Sequence, residues 1–335
     1  MVETGAGNRR LCADQTLRPE SSMADPHRKK RTSLGDRVQA LLIRALHYLI
    51  PRLPLRTSYR LSRRLSALCI RLLPRQRKAV LGNLDVAFGG SLGGAEKLAI
   101  AAAMADNMLK SFFEALYLAS RFHGQVEEKA SLQGKEHLDR ALARGAGVIA
   151  VSAHFGNFIS LGSIMVRAGY PFHMVLRDPE SEPIARLFRY FRRKAGQQWI
   201  STTPSAQCQR RMLNCLRGNQ IICLIADEYK RHGGVPVEFF GHPVPTAAGP
   251  ALLSLRTGAA LLPLFVVRQP DDTHTVMIDP PLDFAPTGDR GADVRALTAL
   301  FTGRIEHYIR RYPDQWWWLN RRWKGLSRGD KHYRG

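Results

Sequence analysis

Hydrophobic positions near the start of the chain recur at helical spacing. Between Leu34 and Leu55 apolar residues repeat every three or four positions, and Pro51 ends the run. Polar or basic side chains interrupt it at Arg37, Arg44, His47 and Arg52. Because a membrane-spanning helix needs roughly 20 nearly uncharged apolar residues, the pattern predicts an amphipathic helix rather than a span.

A second amphipathic helix is predicted before residue 75. Its leucines form one stripe, with arginines around it: Leu61, Leu65, Leu68 and Leu72, beside Arg60, Arg63, Arg64 and Arg71. Basic amphipathic helices of this kind are typical of membrane interfaces. Ordinary helices packed on a domain have a similar pattern. We predict that residues 34–75 form membrane-interface helices, with packing on the domain as the alternative.

Further along, short apolar runs alternate with amphipathic stretches. A glycine-rich turn at 89–94 precedes a predicted helix over 95–121. Strands are predicted at 147–153, 172–176, 221–226, 261–267 and, as an edge strand, 273–278. Helices are predicted at 157–167, 183–195, 206–216 and 294–311. This alternation indicates an α/β domain with a central mixed, largely parallel sheet flanked by helices.

The two ends of the chain are basic and polar. Residues 1–33 are rich in Arg and Ser and lack the apolar core of a signal peptide, so we expect a disordered segment. Met23 is an alternative start. Residues 325–335 are expected to form a basic tail, and residues 76–324 form one domain without a clear internal boundary.

The large excess of positive charge predicts an anionic partner. Lys and Arg number 50 against 28 Asp and Glu, a formal net charge of +22. Nucleic acid, an anionic membrane or an acidic protein would each fit. Basic residues are not interleaved with aromatics on one face, which disfavours nucleic acid. The five cysteines show no CxxC pair, so neither a zinc site nor a disulfide framework is indicated, and a reducing, cytosolic environment fits best.

Candidate chemistry lies in the segment Ser152–Phe158. His154 directly follows the predicted strand at 147–153, and reactive groups collect at the carboxyl ends of strands in open α/β sheets. Its pKa range suits a general base. A structural or capping histidine is the alternative.

Several blocks, in order, resemble one family. They are Arg77–Phe88, Gly134–Asp139, Gly145–Asn157, Phe239–Pro250, Arg256–Ala259, Pro263–Arg268 and Tyr312–Lys324. Over roughly residues 35–324 the chain resembles the bacterial lipid A biosynthesis (lauroyl/myristoyl) acyltransferases. Several separate blocks in the same order are far more specific than one short motif.

The resemblance implies a glycerolipid-acyltransferase-like fold, with residues 76–324 as the acyltransferase domain. It also implies transfer of a fatty acyl chain from a carrier-protein thioester, usually acyl-ACP, to a hydroxyl of a lipid A precursor or related glycolipid. The expected partners are acyl carrier protein, the lipid acceptor and the anionic inner membrane of a bacterium, at its cytoplasmic face. No metal or nucleotide cofactor is implied. Acyl length and the identity of the acceptor stay open.

In that family the catalytic pair is a histidine followed, after four residues, by Asp or Glu. Carried over, His154 is the base, but the acid position is occupied by Ile159. Three alternatives follow. Another carboxylate after a strand takes the role, with Asp178, Asp227 or Glu228 as candidates. His154 acts alone at a reduced rate. Or the chain is a degenerate homologue that binds lipid without turnover.

The dipeptide Asp227-Glu228 departs from the family pattern, which usually has Asp-Gln there. Glu228 is therefore an extra carboxylate in a chain that lacks one at Ile159, which suggests compensation. A solvated turn is the alternative. If both carboxylates lie near His154, they would raise its pKa.

Other residues are candidate substrate contacts. Arg177 matches a basic family position and could bind a phosphate of acceptor or donor as a bidentate fork. Gly156 and Asn157 open the predicted helix at 157–167, so their backbone N–H groups could stabilise an oxyanion. The tryptophans of the last block could form an interfacial belt or belong to the core: Trp316, Trp317, Trp318 and Trp323.

Overall fold

The structure, a computed structural model, describes residues 33–120 and 130–324. The predicted basic tail at 325–335, and all but the last residue of the segment 1–33, lie outside the described residues. Within the described ranges, every helix is too short or too polar to cross a membrane.

Among the described residues, four α-helices precede the sheet. They are α1 (Leu34–Leu49), α2 (Leu55–Leu72), α3 (Pro74–Phe88) and α4 (Gly94–Leu118). Helix α1 begins at a capping box, in which Ser33 and Asp36 each accept a hydrogen bond from the other's backbone N–H. Pro74 occupies the first turn of α3, where its missing N–H carries no cost. Short 3₁₀ turns follow α1 and α3, at Ile50–Arg52 and Gly89–Ser91.

The rest of the described chain alternates strands and helices. In order they are β1 (Ala130–Gln133), α5 (Lys135–Ala143), β2 (Val148–Ser152), α6 (Leu161–Arg167), β3 (Phe172–Leu176), α7 (Glu182–Lys194), β4 (Gln198–Ser201), α8 (Ser205–Arg217), β5 (Ile221–Ile225), β6 (Val235–Phe239), β7 (His242–Thr246), α9 (Gly249–Thr257), β8 (Ala260–Arg268), β9 (His274–Ile278) and α10 (Arg290–Arg311).

Seven strands form one sheet in the order β1-β9-β8-β2-β5-β3-β4. Only the β8–β9 pair in this sheet is antiparallel. The predicted α/β fold with a largely parallel sheet is therefore confirmed. The prediction that 273–278 is an edge strand is wrong, because β9 pairs with β1 on its other side. Strands β6 and β7 form a separate antiparallel hairpin.

Strand β2 lies at the centre of the sheet and is buried along its whole length. Alternate residues of a strand point to opposite faces, so Ile149 and Val151 belong to one core cluster and Val148 and Ala150 to the other. The first cluster also contains the buried rings of Trp316, Trp318 and Trp323. Of the two alternatives for these three tryptophans, the structure shows the core.

Helix α2 turns a row of serines towards α4. Ser58, Ser62 and Ser66 are buried, and the Ser62 hydroxyl donates to Asp106 Oδ1 at 2.7 Å. Leu68 and Leu72 are 49% and 67% exposed. Helix α1 exposes a comparable row: Leu34, Val38, Leu41, Leu42 and Leu49. Of the predicted leucine stripe, Leu65, Leu68 and Leu72 are therefore exposed, whereas Leu61 is partly buried against the cluster that contains Phe113 and Leu116 of α4.

Candidate active site

Two neighbouring parallel strands bring His154 and Asp227 together. The register pairs Ser152 at the end of β2 with Ile225 at the end of β5. Each functional residue follows its strand at the same edge of the sheet, where parallel α/β folds build their sites. His154 Nδ1 lies 2.9 Å from Asp227 Oδ1. The backbone N–H of His154 donates to Asp227 Oδ2 at 3.0 Å.

The carboxylate of Asp227 is fully buried and held by the C-terminal segment. Trp316 Nε1 donates to Asp227 Oδ2 at 2.7 Å, and Asn320 Nδ2 donates to the same oxygen at 3.3 Å. Burial alone would raise the pKa of Asp227, but the His154 charge and the donated hydrogen bonds outweigh it and lower the pKa. The site therefore holds an ionised carboxylate against one nitrogen of the imidazole.

The pKa of His154 is raised above its ordinary value of 6.5. Burial favours the neutral ring, but the Asp227 carboxylate and its hydrogen bond more than offset this, with a smaller contribution from Glu228. With its Nδ1 proton donated to Asp227, His154 presents Nε2 as the basic nitrogen. This arrangement of base and orienting acid can remove a proton from a hydroxyl group.

Glu228 lies on the open side of His154. Its Oε1 is 3.9 Å from His154 Nε2, beyond hydrogen-bond distance, and its side chain is 70% exposed. Asp178, by contrast, is bound by helix α7: Arg192 Nη1 donates to its Oδ1 at 2.6 Å. Of the three carboxylates considered as substitutes for the acid, the structure brings Asp227 and Glu228 to His154.

Ile159 lines an apolar cavity beside His154. The open space measures about 780 Å³, mouth included, and its walls include Phe112, Leu116, Met174, Leu176 and Phe188. Phe158 also lines it and packs edge-on against the His154 ring, with 5.0 Å between ring centroids. The cavity therefore reaches the side chain that packs on His154, and its apolar lining suits an alkyl chain.

The turn after His154 differs from the prediction. Helix α6 begins at Leu161, not at Asn157. The Gly156 N–H donates to the backbone oxygen of Gln315 at 2.7 Å, so the prediction that it contacts an oxyanion is wrong. Gly156 has a φ of +54°, and a side chain there would overlap the Val266 carbonyl oxygen. Its role is to let the turn pack closely on β8.

Asn157 is buried, and its side chain is used inside the protein. Its Nδ2 donates to Glu114 Oε2 at 2.6 Å, and its Oδ1 accepts the Ser160 N–H at 3.1 Å. Its backbone N–H has no hydrogen-bond partner among the described residues. The side chain of Arg177 is exposed, with Nη2 3.8 Å from Glu180 Oε1. Both proposed substrate contacts, the Asn157 N–H and Arg177, stay predictions.

Two buried charged residues beside the site, Arg322 and Glu114, were not predicted from the sequence. Arg322 donates through Nη1 to the Glu228 backbone oxygen at 3.0 Å and through Nη2 to Thr246 Oγ1 at 2.7 Å. Burial lowers its pKa to about 10, although Asp227 opposes this. Glu114 of α4 carries the hydrogen bond from Asn157. Arg322 lies in the Tyr312–Lys324 block, so the family resemblance could have indicated it. Nothing in the sequence pattern singled out Glu114.

Comparisons with known proteins agree on one family. The model of the bacterial lipid A biosynthesis acyltransferases matches residues 26–325. A phosphatidylinositol mannoside acyltransferase of Mycolicibacterium smegmatis is 31% identical over 63% of this chain and 67% of that protein. A protein of the same name from Mycobacterium tuberculosis is 30% identical over 57% of this chain, and the match spans only 58% of its length. A lipid A biosynthesis lauroyltransferase of Escherichia coli is 24% identical over 84% of this chain and 90% of that protein.

Proposed function

Because the chain belongs to the bacterial lipid A biosynthesis acyltransferase family, we propose that it transfers a fatty acyl chain from a thioester to a hydroxyl group of a glycolipid, with His154 as general base. The single observation that carries the proposal is the His154–Asp227 pair, 2.9 Å apart, next to an apolar cavity. The family resemblance read from the sequence blocks is confirmed.

In the proposed reaction, His154 Nε2 takes the proton of the acceptor hydroxyl as its oxygen attacks the thioester carbonyl. Asp227 stabilises the imidazolium that forms. The tetrahedral intermediate then collapses, the carbon–sulfur bond breaks, and the leaving thiolate takes the proton from His154. The products are the ester and the free carrier thiol. The Asn157 N–H is proposed as a donor to the oxyanion.

We assign to Asp227 the role of orienting the His154 ring. The Ile159 side chain cannot take this role, because it has no hydrogen-bonding group. A carboxylate on Nδ1 fixes the tautomer and the ring orientation, and Asp227 meets that requirement from the neighbouring strand. Its donors Trp316 and Asn320 fix the carboxylate in turn. Ile159 belongs to the acyl cavity instead. A buried, ionised carboxylate on the histidine favours a working base over a degenerate, merely lipid-binding homologue.

Acyl carrier protein is the proposed donor. Its thioester-linked chain would enter the cavity lined by Phe158 and Ile159, which places the carbonyl near His154. Helix α7 also lines this cavity through Phe188 and exposes basic residues: Arg186, Arg193 and Lys194. An acidic carrier protein is complementary to such a surface. Arg177 is proposed to bind a phosphate of the donor or of the acceptor.

The proposed acceptor is a lipid A precursor or a related glycolipid. One relative is named as a phosphatidylinositol mannoside acyltransferase and another as a lipid A biosynthesis lauroyltransferase. Both names refer to glycolipids. The two acceptor types are therefore the ones to assay in parallel.

The anionic membrane surface is the proposed location, at the cytoplasmic face of a bacterial inner membrane. Several leucines of α1 and α2 are exposed, among them Leu41, Leu42, Leu68 and Leu72. Arginines accompany them, among them Arg37, Arg44, Arg60, Arg63, Arg64 and Arg71. Leucines can enter the acyl boundary while arginines contact anionic headgroups, as in interfacial helices.

Transfer of labelled acyl chains from acyl-ACP tests the proposal, with a lipid A precursor and a phosphatidylinositol mannoside offered in parallel. Wild-type membranes are expected to label at least one acceptor, and His154→Ala membranes neither. If wild type labels neither acceptor, the proposed function is contradicted.

A further inference from the structure

Glu114 is a fully buried carboxylate in helix α4. Arg268 binds it as a fork, with Nη1 2.6 Å from Oε1 and Nη2 2.9 Å from Oε2. The Tyr59 hydroxyl donates to Oε1, and Asn157 Nδ2 donates to Oε2 at 2.6 Å. His274 Nε2 lies 3.4 Å from Oε2. Four elements of the chain thus converge on one carboxylate that the proposed reaction does not use directly.

The bond from Asn157 connects this carboxylate to the catalytic turn. Asn157 stands three residues after His154 and directly before Phe158, which lines the cavity. Its Oδ1 accepts the Ser160 N–H, so the side chain also closes its own turn. Glu114 therefore holds the segment that carries both His154 and Phe158.

The other side of the same turn is tied to the same network. Gln315 exchanges two hydrogen bonds with the backbone of Arg268, each 2.8 Å long. The Gln315 backbone oxygen accepts the Gly156 N–H, and the His154 backbone oxygen accepts the Trp317 N–H at 2.9 Å. Arg268 thus reaches the turn twice, through Glu114 and through Gln315. The turn is fixed on both sides of His154.

The charges in this network depend on one another. Burial alone would raise the pKa of Glu114, but the Arg268 and His274 charges more than offset it and hold the pKa far below its usual range. The carboxylate therefore accepts from Asn157 throughout the working pH range. Removing one partner of a buried ion pair leaves the other charge unpaired and strongly destabilises the fold. The informative substitutions are therefore those that leave Arg268 paired with Glu114.

We propose that Glu114 is a positioning residue of acyl transfer, which acts through Asn157 to hold His154 against Asp227. The inference rests on the proposed function. It predicts that loss of the Glu114–Asn157 hydrogen bond impairs the chemical step more than it impairs binding of the acyl donor.

Asn157→Ala removes that bond, together with the bond from the Ser160 N–H, and leaves the Glu114–Arg268 pair intact. Asn219→Ala is the matched control, because the Asn219 side chain also makes two hydrogen bonds, with the backbones of Gly147 and Leu142, near the opposite end of β2. For Asn157→Ala we expect kcat to fall by about 10- to 100-fold, as for a slightly misplaced catalytic group, with the KM for acyl-ACP nearly unchanged. Asn219→Ala is expected to keep wild-type kcat.

A pH profile separates positioning from general weakening of the fold. When His154 is held less firmly against Asp227, its pKa falls towards 6.5, so the acid limb of kcat/KM is expected to move to lower pH in Asn157→Ala and not in Asn219→Ala. Wild-type kcat and acid limb in Asn157→Ala would overturn the inference. So would an equal loss of kcat in Asn219→Ala at equal thermal stability.

NMR titration of His154 distinguishes this inference from the proposed function. The ring pKa can be measured in wild type and Asn157→Ala whether or not either transfers acyl groups. A lower His154 pKa in the variant supports positioning even where wild-type transfer is absent. An unchanged pKa in a folded variant contradicts it.

Discussion

His154 and Asp227 stand 73 positions apart in the chain, yet His154 Nδ1 lies 2.9 Å from Asp227 Oδ1. Each follows one of two adjacent parallel strands at the same edge of the sheet. The orienting carboxylate is thus supplied across the sheet rather than by position 159, five residues after the histidine, and the pair can be tested by substitution.

Asp227→Asn is expected to lower kcat by about 10²- to 10⁴-fold. The amide oxygen would accept from Trp316 and the His154 N–H, so its NH₂ would face Nδ1 and favour the other tautomer, and a neutral amide does not stabilise the imidazolium. Removing the negative charge also lowers the pKa of His154, so the acid limb should shift to lower pH while the plateau falls. Rates across pH 5–9 would show both effects. Near-wild-type turnover with an unshifted limb would exclude Asp227 from this role.

The wild-type pH profile follows from the raised pKa of His154. A general base acts in its neutral form, which is depleted below its pKa. The acid limb of kcat/KM is therefore expected above pH 6.5, with activity rising as pH increases through it. Glu228→Gln removes the carboxylate charge that makes the smaller of the two contributions to raising the His154 pKa. It should therefore move the acid limb slightly to lower pH, with little loss of plateau rate. An acid limb below 6.5 in wild type contradicts the assignment.

Ile159→Glu restores the family acid but is expected to lower activity. Ile159 lines the apolar cavity, and a carboxylate there would be desolvated in the space proposed for the acyl chain. We expect the KM for long-chain acyl donors to rise at least tenfold, whereas Ile159→Val stays near wild type. Activity that appears only in Ile159→Glu would identify a degenerate homologue.

The leucine stripe of α2 is expected to carry membrane binding. The double variant Leu68→Gln/Leu72→Gln should weaken sedimentation with anionic vesicles by roughly 10²- to 10⁴-fold, since each leucine buried in the membrane contributes about 1.5–3 kcal/mol. Leu252→Gln/Leu300→Gln is the matched control, because these leucines are also exposed but lie on α9 and α10. Equal losses in both double variants would argue against a specific membrane surface.

Gly156→Ala tests the close approach between the turn and β8. Both Gly156 and Gly145 have positive φ, but only at Gly156 would a side chain overlap a backbone atom, the Val266 oxygen. Gly145→Ala is expected to cost about 1–2 kcal/mol of unfolding free energy. Gly156→Ala should cost clearly more and displace His154, as thermal denaturation and transfer rates would show. Equal destabilisation by the two substitutions would contradict the proposed collision.

Much of the sheet was predictable because buried parallel strands read as continuous apolar runs. Strands β2, β3, β5 and β8 fall within or close to their predicted ranges. The β6–β7 hairpin was not predicted, since Pro236, Pro243 and Pro245 argue against strands in sequence patterns. The orientation of α2 was also unpredictable. Leucines are usually buried in preference to serines, but in α2 the serine face is buried and several leucines are exposed.

The site was predictable in part. The strand pattern placed His154, and the family blocks gave its role as a prediction. Asp227 was one of three candidates, and only the strand register brought it, rather than Asp178, to the imidazole. The partners Trp316, Asn320 and Glu114 come from segments distant in sequence. No local pattern encodes such contacts.

The most direct test of the central claim is the rate of acyl transfer from labelled acyl-ACP to a glycolipid acceptor, compared among wild type, His154→Ala and Asp227→Asn at equal protein levels in membranes. We predict measurable transfer in wild type, none in His154→Ala, and a rate at least 100-fold lower in Asp227→Asn. Undiminished transfer in His154→Ala, or wild-type rates in Asp227→Asn, would contradict a reaction driven by this pair.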